Sequence, residues 1–132
     1  DRRVSANASA KFLLTFDVTA SHEASDVRSA HGRQLVPSMC EVLAQAEGAR
    51  LYVTNSVSAE RETEPIDEPG QQYSGRCLPE PTRASIDELY FDNHLAGIDF
   101  FTRPVVRSLL SNAALGRVRA HWVREWVAVD RT

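Results

Sequence analysis

Apolar residues recur along this chain with two different periods, and the switches between them mark out its elements. Residues 11–18 alternate, with Phe12, Leu14 and Phe16 on one face and Leu13 and Thr15 on the other. That is a strand in mostly buried surroundings. A polar stretch rich in capping residues follows at 19–25, where Ser21 or Ser25 is placed to open a helix. From there Val27, Ala30, Leu35, Met39, Val42, Leu43 and Ala46 recur at three- and four-residue steps, the stripe of an amphipathic helix. Gly32 and Pro37 interrupt it. Pro37 lacks a backbone N–H and crowds the preceding turn, so the pattern predicts a kink, or two helical pieces with a restart near Val36. Gly48 is the predicted stop, since glycine takes the left-handed C-cap conformation without steric penalty.

Alternation returns at 50–57, with Leu51, Val53, Asn55 and Val57 set against Tyr52, Thr54 and Ser56. Residues 58–81 are acidic, rich in Pro and poor in apolar side chains, which predicts a long exposed loop with at most a short edge strand near 73–78. Residues 83–92 are ambiguous. Ser85 and Glu88 have capping-box spacing, yet Ile86 and Tyr90 against Leu89 and Phe91 suit a strand, and the aromatic enrichment favours the strand. A short helix is predicted from 94–97, and Pro104 stands at a first helical position before a segment closed by Gly116. The last run, 117–129, alternates throughout and predicts a long closing strand.

The order strand, helix, strand, strand, helix, strand is the ferredoxin-like βαββαβ plan, an α+β fold with both helices on one face of a four-stranded antiparallel sheet. Its open face carries apolar residues, which predicts a homodimer pairing sheet with sheet.

Composition narrows the picture without redirecting it. A chain of 132 residues with 42% hydrophobic and 25% charged residues is one ordinary globular domain, with residues 1–10 a loose lead-in. The net charge of -3, with both signs interleaved, carries no electrostatic footprint for nucleic acid. No apolar run reaches the ~20 residues of a membrane span, so no membrane association is expected. Cys40 and Cys77 are expected to be free thiols in a reducing, cytoplasmic compartment, although nothing in their spacing forbids a disulfide.

The segments HGRQLVP (31–37), AEGARLYV (46–53) and SIDELYFDN (85–93) together resemble the EthD-like branch of the dimeric α+β barrel superfamily, over most of the chain. The resemblance implies a site for a hydrophobic, aromatic or polyketide-like small molecule between sheet and helices. It also implies chemistry of a cofactor-free kind, of the monooxygenase, cyclase or dehydratase, or isomerase type. One departure bears on catalysis. Two positions before Pro37, where such relatives carry histidine, this chain has Leu35, and His31 stands where they often carry an aromatic residue.

His31 is nevertheless the first candidate for a general base, because imidazole titrates near neutrality at about pH 6.5. The alternative is an ordinary helix residue. His94, after Asp92 and Asn93 at a strand end, is either a functional group or part of a helix cap. Tyr90, Trp122 and Trp126 are candidate walls for a flat aromatic ligand, against the plainer readings of core packing or a dimer seam. Tyr52, Asn55 and Arg124 are polar groups on strands that could orient a carbonyl or phenolate, or simply bond along a strand edge. DVTAS (17–21) has the form of the metal site of von Willebrand A-type domains, and Asp17 with Glu60 that of a PIN-type nuclease. The favoured expectation is a small-molecule enzyme that needs no cofactor and uses His31. A non-catalytic ligand-binding or assembly module of the same fold is the alternative, and a metal-dependent domain using Asp17 comes third.

Overall fold

The computed structural model describes residues 10–58, 61–63, 75–77, 82–125 and 128–131. Its central sheet contains β1 (Ala10–Asp17), β2 (Ala49–Ser56), β5 (Arg83–Phe91) and β6 (Arg117–Val123), in the spatial order β2-β5-β1-β6. Every pairing in it is antiparallel. This is the ferredoxin-like arrangement that the alternation of periods predicts. It overturns the metal-dependent alternatives, because both of those folds are built on parallel sheets. Asp17 instead faces two guanidinium groups, Arg83 at 3.2 Å and Arg119 at 3.9 Å.

The helical layer lies on one face of the sheet. There Phe12, Leu14 and Phe16 of β1 and Leu89 and Phe91 of β5 bury against Leu35, Met39, Phe100, Val106 and Leu115. The other face shows Leu13, Thr15, Val53, Ile86 and Glu88, which follow the opposite phase of the same alternation.

The first helical region breaks in three: α1 (Ala24–Ala30), a π-helical turn (His31–Leu35) and α2 (Val36–Ala44). The restart at Val36 is the one the proline predicts. The cause of the π-turn is legible in the spacing. Val27, His31, Leu35 and Met39 are all buried and each lies four residues after the last. A straight α-helix advances about 100° per residue, so such a row drifts by about 40° at each step. One widened turn, in which the Val36 N–H donates to the His31 carbonyl oxygen, absorbs that drift and keeps the row on the sheet. Widening also eases the crowding that the Pro37 ring imposes on the turn before it.

Several boundaries differ from the pattern-based expectation. No side chain caps α1: its N-cap is Glu23, whose carbonyl accepts from Asp26 and Val27. Helix α2 ends at Ala44, before Gly48, because the Gln45 and Ala46 N–H groups tighten to three-residue bonds with Val42 and Leu43. Gly48 then makes the turn into β2 at φ 86°, and its carbonyl accepts from the Asp92 N–H. The short strand β4 (Gly75–Cys77) pairs with β3 (Arg61–Thr63) in a separate two-stranded sheet and does not extend the edge of the main one.

After β5, Asn93 caps α3 (His94–Thr102) by accepting from the Ala96 N–H, and α4 (Pro104–Leu110) starts on its proline. The closing strand is shorter than its alternating sequence suggests. Val123 pairs with Lys11, and β1 itself begins at Ala10, so the ladder runs out of partner there. Alternation marks the residues able to pair; a neighbouring strand decides how many do.

Candidate functional site

Three elements bring a histidine, a carboxylate and two hydroxyls together beneath the helices. The π-turn delivers His31, β2 delivers Tyr52, and β5 delivers Ser85 and Asp87. Asp87 is fully buried and His31 is 6% exposed. The His31 Nε2–H donates to both carboxylate oxygens of Asp87, at 2.8 and 3.0 Å. The Tyr52 hydroxyl donates to Asp87 Oδ2 at 2.9 Å. The Ser85 hydroxyl lies 2.9 Å from Asp87 Oδ1 and equally far from the Asn55 carbonyl oxygen. Phe16 closes one side, its ring edge-on to the imidazole at 4.7 Å.

A buried carboxylate is tolerable only when its lone pairs are occupied, and here they are. Because a carboxylate can only accept, it fixes the proton of the neutral imidazole on Nε2. The Nδ1 lone pair makes no hydrogen bond among the described residues, which leaves it as the atom able to take a proton. The carboxylate would then stabilise the imidazolium that forms, the role a buried Asp plays beside a catalytic histidine. Burial, and next the negative charge and hydrogen bonding of Asp87, push the Tyr52 phenol well above its ordinary range. Tyr52 is thus a persistent hydrogen-bond donor.

Tyr52 also lines a groove of about 240 Å³ between α2 and the edge strand β2, together with Cys40, Leu43, Arg50 and Leu51. Its walls are mainly aliphatic, with a guanidinium and an exposed, free thiol. The phenol therefore joins an open groove to the buried pair.

The remaining candidate residues scatter. His94, the first residue of α3, lies between Phe12, stacked at 5.8 Å, and Trp122, tilted at 3.9 Å. Its Nδ1 is buried and finds no partner among the described residues. Trp122 is on the helix-bearing face because it pairs with Phe12. Tyr90 is on the opposite face, its hydroxyl 3.2 Å from Glu125 and its ring beneath the Lys11 ammonium, so Tyr90 and Trp122 do not share a pocket. Asn55 is also on the open face, donating to the Ile86 carbonyl and to Glu88, away from Tyr52. Arg124 is exposed just past the end of β6, and Trp126 lies outside the described residues.

The residue that sequence reasoning missed is Asp87. Ser85, Asp87, Leu89 and Phe91 share one phase of the alternation, so a carboxylate stood on a face otherwise given to the core. Such a polar residue requires buried partners, and that requirement was the available signal.

The sheet order, the helices on one face and the connections place the chain among known structures. Its ferredoxin-like α+β fold is shared with several solved structures. An EthD family protein from Bacillus halodurans superposes with a TM-score of 0.56 at 10% identity, covering 89% of this chain and 99% of that one. A hypothetical protein of Arabidopsis thaliana gives 0.54 at 10% identity, over 92% of each chain. A Deinococcus radiodurans protein provisionally designated an antibiotic biosynthesis monooxygenase gives 0.50 at 15% identity, covering 92% of this chain and 98% of its own. No family model and no curated sequence matches the chain. At these identities the likeness is one of fold, and among the described residues no helix is long and apolar enough to cross a membrane.

Proposed function

We propose that this protein is a small-molecule enzyme that moves a proton on a hydrophobic, aromatic or polyketide-like compound, with His31 as the acid/base group. One observation carries the reading: a helix histidine held through Nε2 by a fully buried carboxylate, with its other ring nitrogen unbonded among the described residues. Asp87 is the positioning residue, orienting the ring and holding its proton on Nε2. Tyr52 connects that pair to the groove beside β2, where Leu43 and Leu51 would contact an apolar substrate and Arg50 an enolate or phenolate oxygen. Proton transfer needs only these side chains, so no cofactor enters the scheme. An oxygenase route would begin in the same way, with a substrate carbanion formed at His31.

The protein works as a homodimer in this proposal, with Leu13, Val53 and Ile86 of the open sheet face against the same face of a second copy. The protein is placed in a reducing compartment such as the cytoplasm, where Cys40 and Cys77 would stay as thiols.

A non-catalytic module of the same fold is favoured by a different observation, the 6% exposure of His31. In that case the network serves only to satisfy a buried carboxylate. The two readings separate in a turnover screen of phenols, β-diketones and lactones followed by mass spectrometry. His31→Ala is expected to abolish the conversion found for the wild-type protein while the circular dichroism spectrum is preserved. Full turnover by that variant would exclude His31 as the acid/base group.

A further inference from the structure

We infer that Arg28 is a further substrate-binding residue, whose guanidinium holds the enolate oxygen formed when His31 takes a proton from the carbon beside a carbonyl group. This role rests on His31 being the acid/base group.

Arg28 stands out in α1. It is half-buried, and its Nε–H is buried without a hydrogen-bond partner. Nor does it make an ion pair among the described residues, although a guanidinium offers five N–H donors in a planar fork. A buried donor left without an acceptor is costly, and such a group calls for a partner.

The place of Arg28 in the fold indicates which partner. Residues of a helix step by about 100°, and those three or four apart share a side. Ala24 and His31 are buried and face the sheet. Val27, next to Gly116, and Gln34, bonded to Asn112 at 3.2 Å, lie on the flank toward the segment that leads into β6. Arg28 and Gly32 therefore lie on the opposite flank, above the edge strand β2, with Arg28 one turn before His31. Space is open on that side: Gly32 is exposed, and a Cβ on it would meet nothing within 4 Å. Thr54 and Ser56 are exposed on the helix-bearing face of β2, directly opposite Asp87 and Ser85 of the buried network. A carbonyl compound that reaches the imidazole from this flank meets an unpaired guanidinium and two hydroxyls. The groove lined by Tyr52 continues along the same strand, leaving Arg50 for a second oxygen at the other end of the substrate.

The step balances with these groups alone. The C–H bond breaks and its proton goes to His31 Nδ1. Its electron pair becomes the C=C bond of the enolate, and the carbonyl π pair becomes a lone pair on oxygen. The Arg28 N–H groups donate to that oxygen as its charge develops. Return of the proton from Nδ1 to a carbon ends the cycle.

The experiment follows the arginine Nε–H resonances of the full chain by NMR, with a reductant present. The probe is dimedone, a cyclic diketone that is already an enolate anion near neutral pH, and its neutral methyl enol ether is the control. Saturable binding of dimedone is expected, with a shift in the Nε–H resonance that Arg28→Lys removes. The enol ether should leave that resonance in place. Arg28→Gln should weaken dimedone binding about tenfold, the loss of one charge-assisted pair. Arg28→Lys, which keeps the charge, should weaken it less, and unchanged thermal transitions would show both variants folded. Absence of saturable binding, or undiminished affinity in Arg28→Gln, overturns the assignment. So does a loss seen only in Arg50→Gln, which would put the anion in the groove. His31→Ala should still bind dimedone, because a preformed enolate needs no base. Failure of Arg28 as the oxyanion partner is thus read from binding, and failure of His31 as the base from turnover.

Discussion

His31 Nε2 lies 2.8 and 3.0 Å from the two carboxylate oxygens of Asp87, a residue 56 positions further along the chain. The contact ties the widened turn of the first helical region to the middle of the sheet. Both groups are buried, so the pair is costly to break from either side.

Replacing Asp87 with Asn tests that relationship. The amide nitrogen would face the donors of His31, Tyr52 or Ser85, and part of the network would lose its acceptor. Asp87→Asn is expected to destabilise the protein by about 1–3 kcal/mol, the cost of a buried donor left without a partner. Urea denaturation measures this. Nitrogen chemical shifts of the imidazole should show its proton moving from Nε2 to Nδ1, since Nε2 would then best accept from the amide. A variant as stable as the wild type, with the original tautomer, would contradict the arrangement.

Tyr52 sets a limit on the alkaline side. Burial, and then the Asp87 charge, raise its phenol in the folded protein, whereas the unfolded chain ionises near pH 10. Below that pH both states keep the proton and the contribution to stability is complete. Above it only the unfolded state releases the proton, so stability falls as pH rises. Tyr52→Phe should cost about 1 kcal/mol near neutrality through the lost bond to Asp87. It should also reduce the decline above about pH 10, leaving the parts due to Tyr90, whose phenol is likewise raised by burial, and to Lys11, whose ammonium is raised, against the effect of burial, by its bonds to Glu125 and Glu88. Denaturation midpoints measured from pH 7 to 11 would reveal an unchanged slope if this account were wrong.

Gly97 sets how closely α3 approaches the sheet. A Cβ at this position would overlap the Phe12 ring, which in turn stacks on His94. Gly97→Ala should destabilise by about 1–3 kcal/mol through overpacking. Displacing that stack should also alter the fluorescence of Trp122, whose ring lies 3.9 Å from the His94 ring. A thermal midpoint within error of the wild type would show that the helix yields freely.

Ile86 tests the proposed dimer. It pairs with Thr15 of β1 and Asn55 of β2, inside the open face. Ile86→Glu should leave the helix-side core intact and convert the protein to a 14.7 kDa monomer, readable by sedimentation equilibrium. A wild-type protein that already sediments as a monomer would remove the dimer from the proposal.

The sequence by itself determined the order of elements and which face of each meets the core. Period-two alternation in β1, β2 and β5 and the row from Val27 to Met39 are local properties, and local sterics and hydrophobicity suffice to express them. His31 was a candidate only as a helix histidine, from the chemistry of its imidazole and not from that row. Tertiary structure alone decided what His31 touches. Its partner Asp87 is distant in sequence and reaches it only through the sheet order β2-β5-β1-β6, and no local signal pairs residues so far apart. Tertiary structure likewise placed Tyr90 and Trp122 on opposite faces, and it stopped β6 at Val123 because a strand extends only as far as its neighbour does. Periodicity is a property of one segment, whereas register and contact belong to pairs of segments, and the chemistry of this protein lies in the pairs.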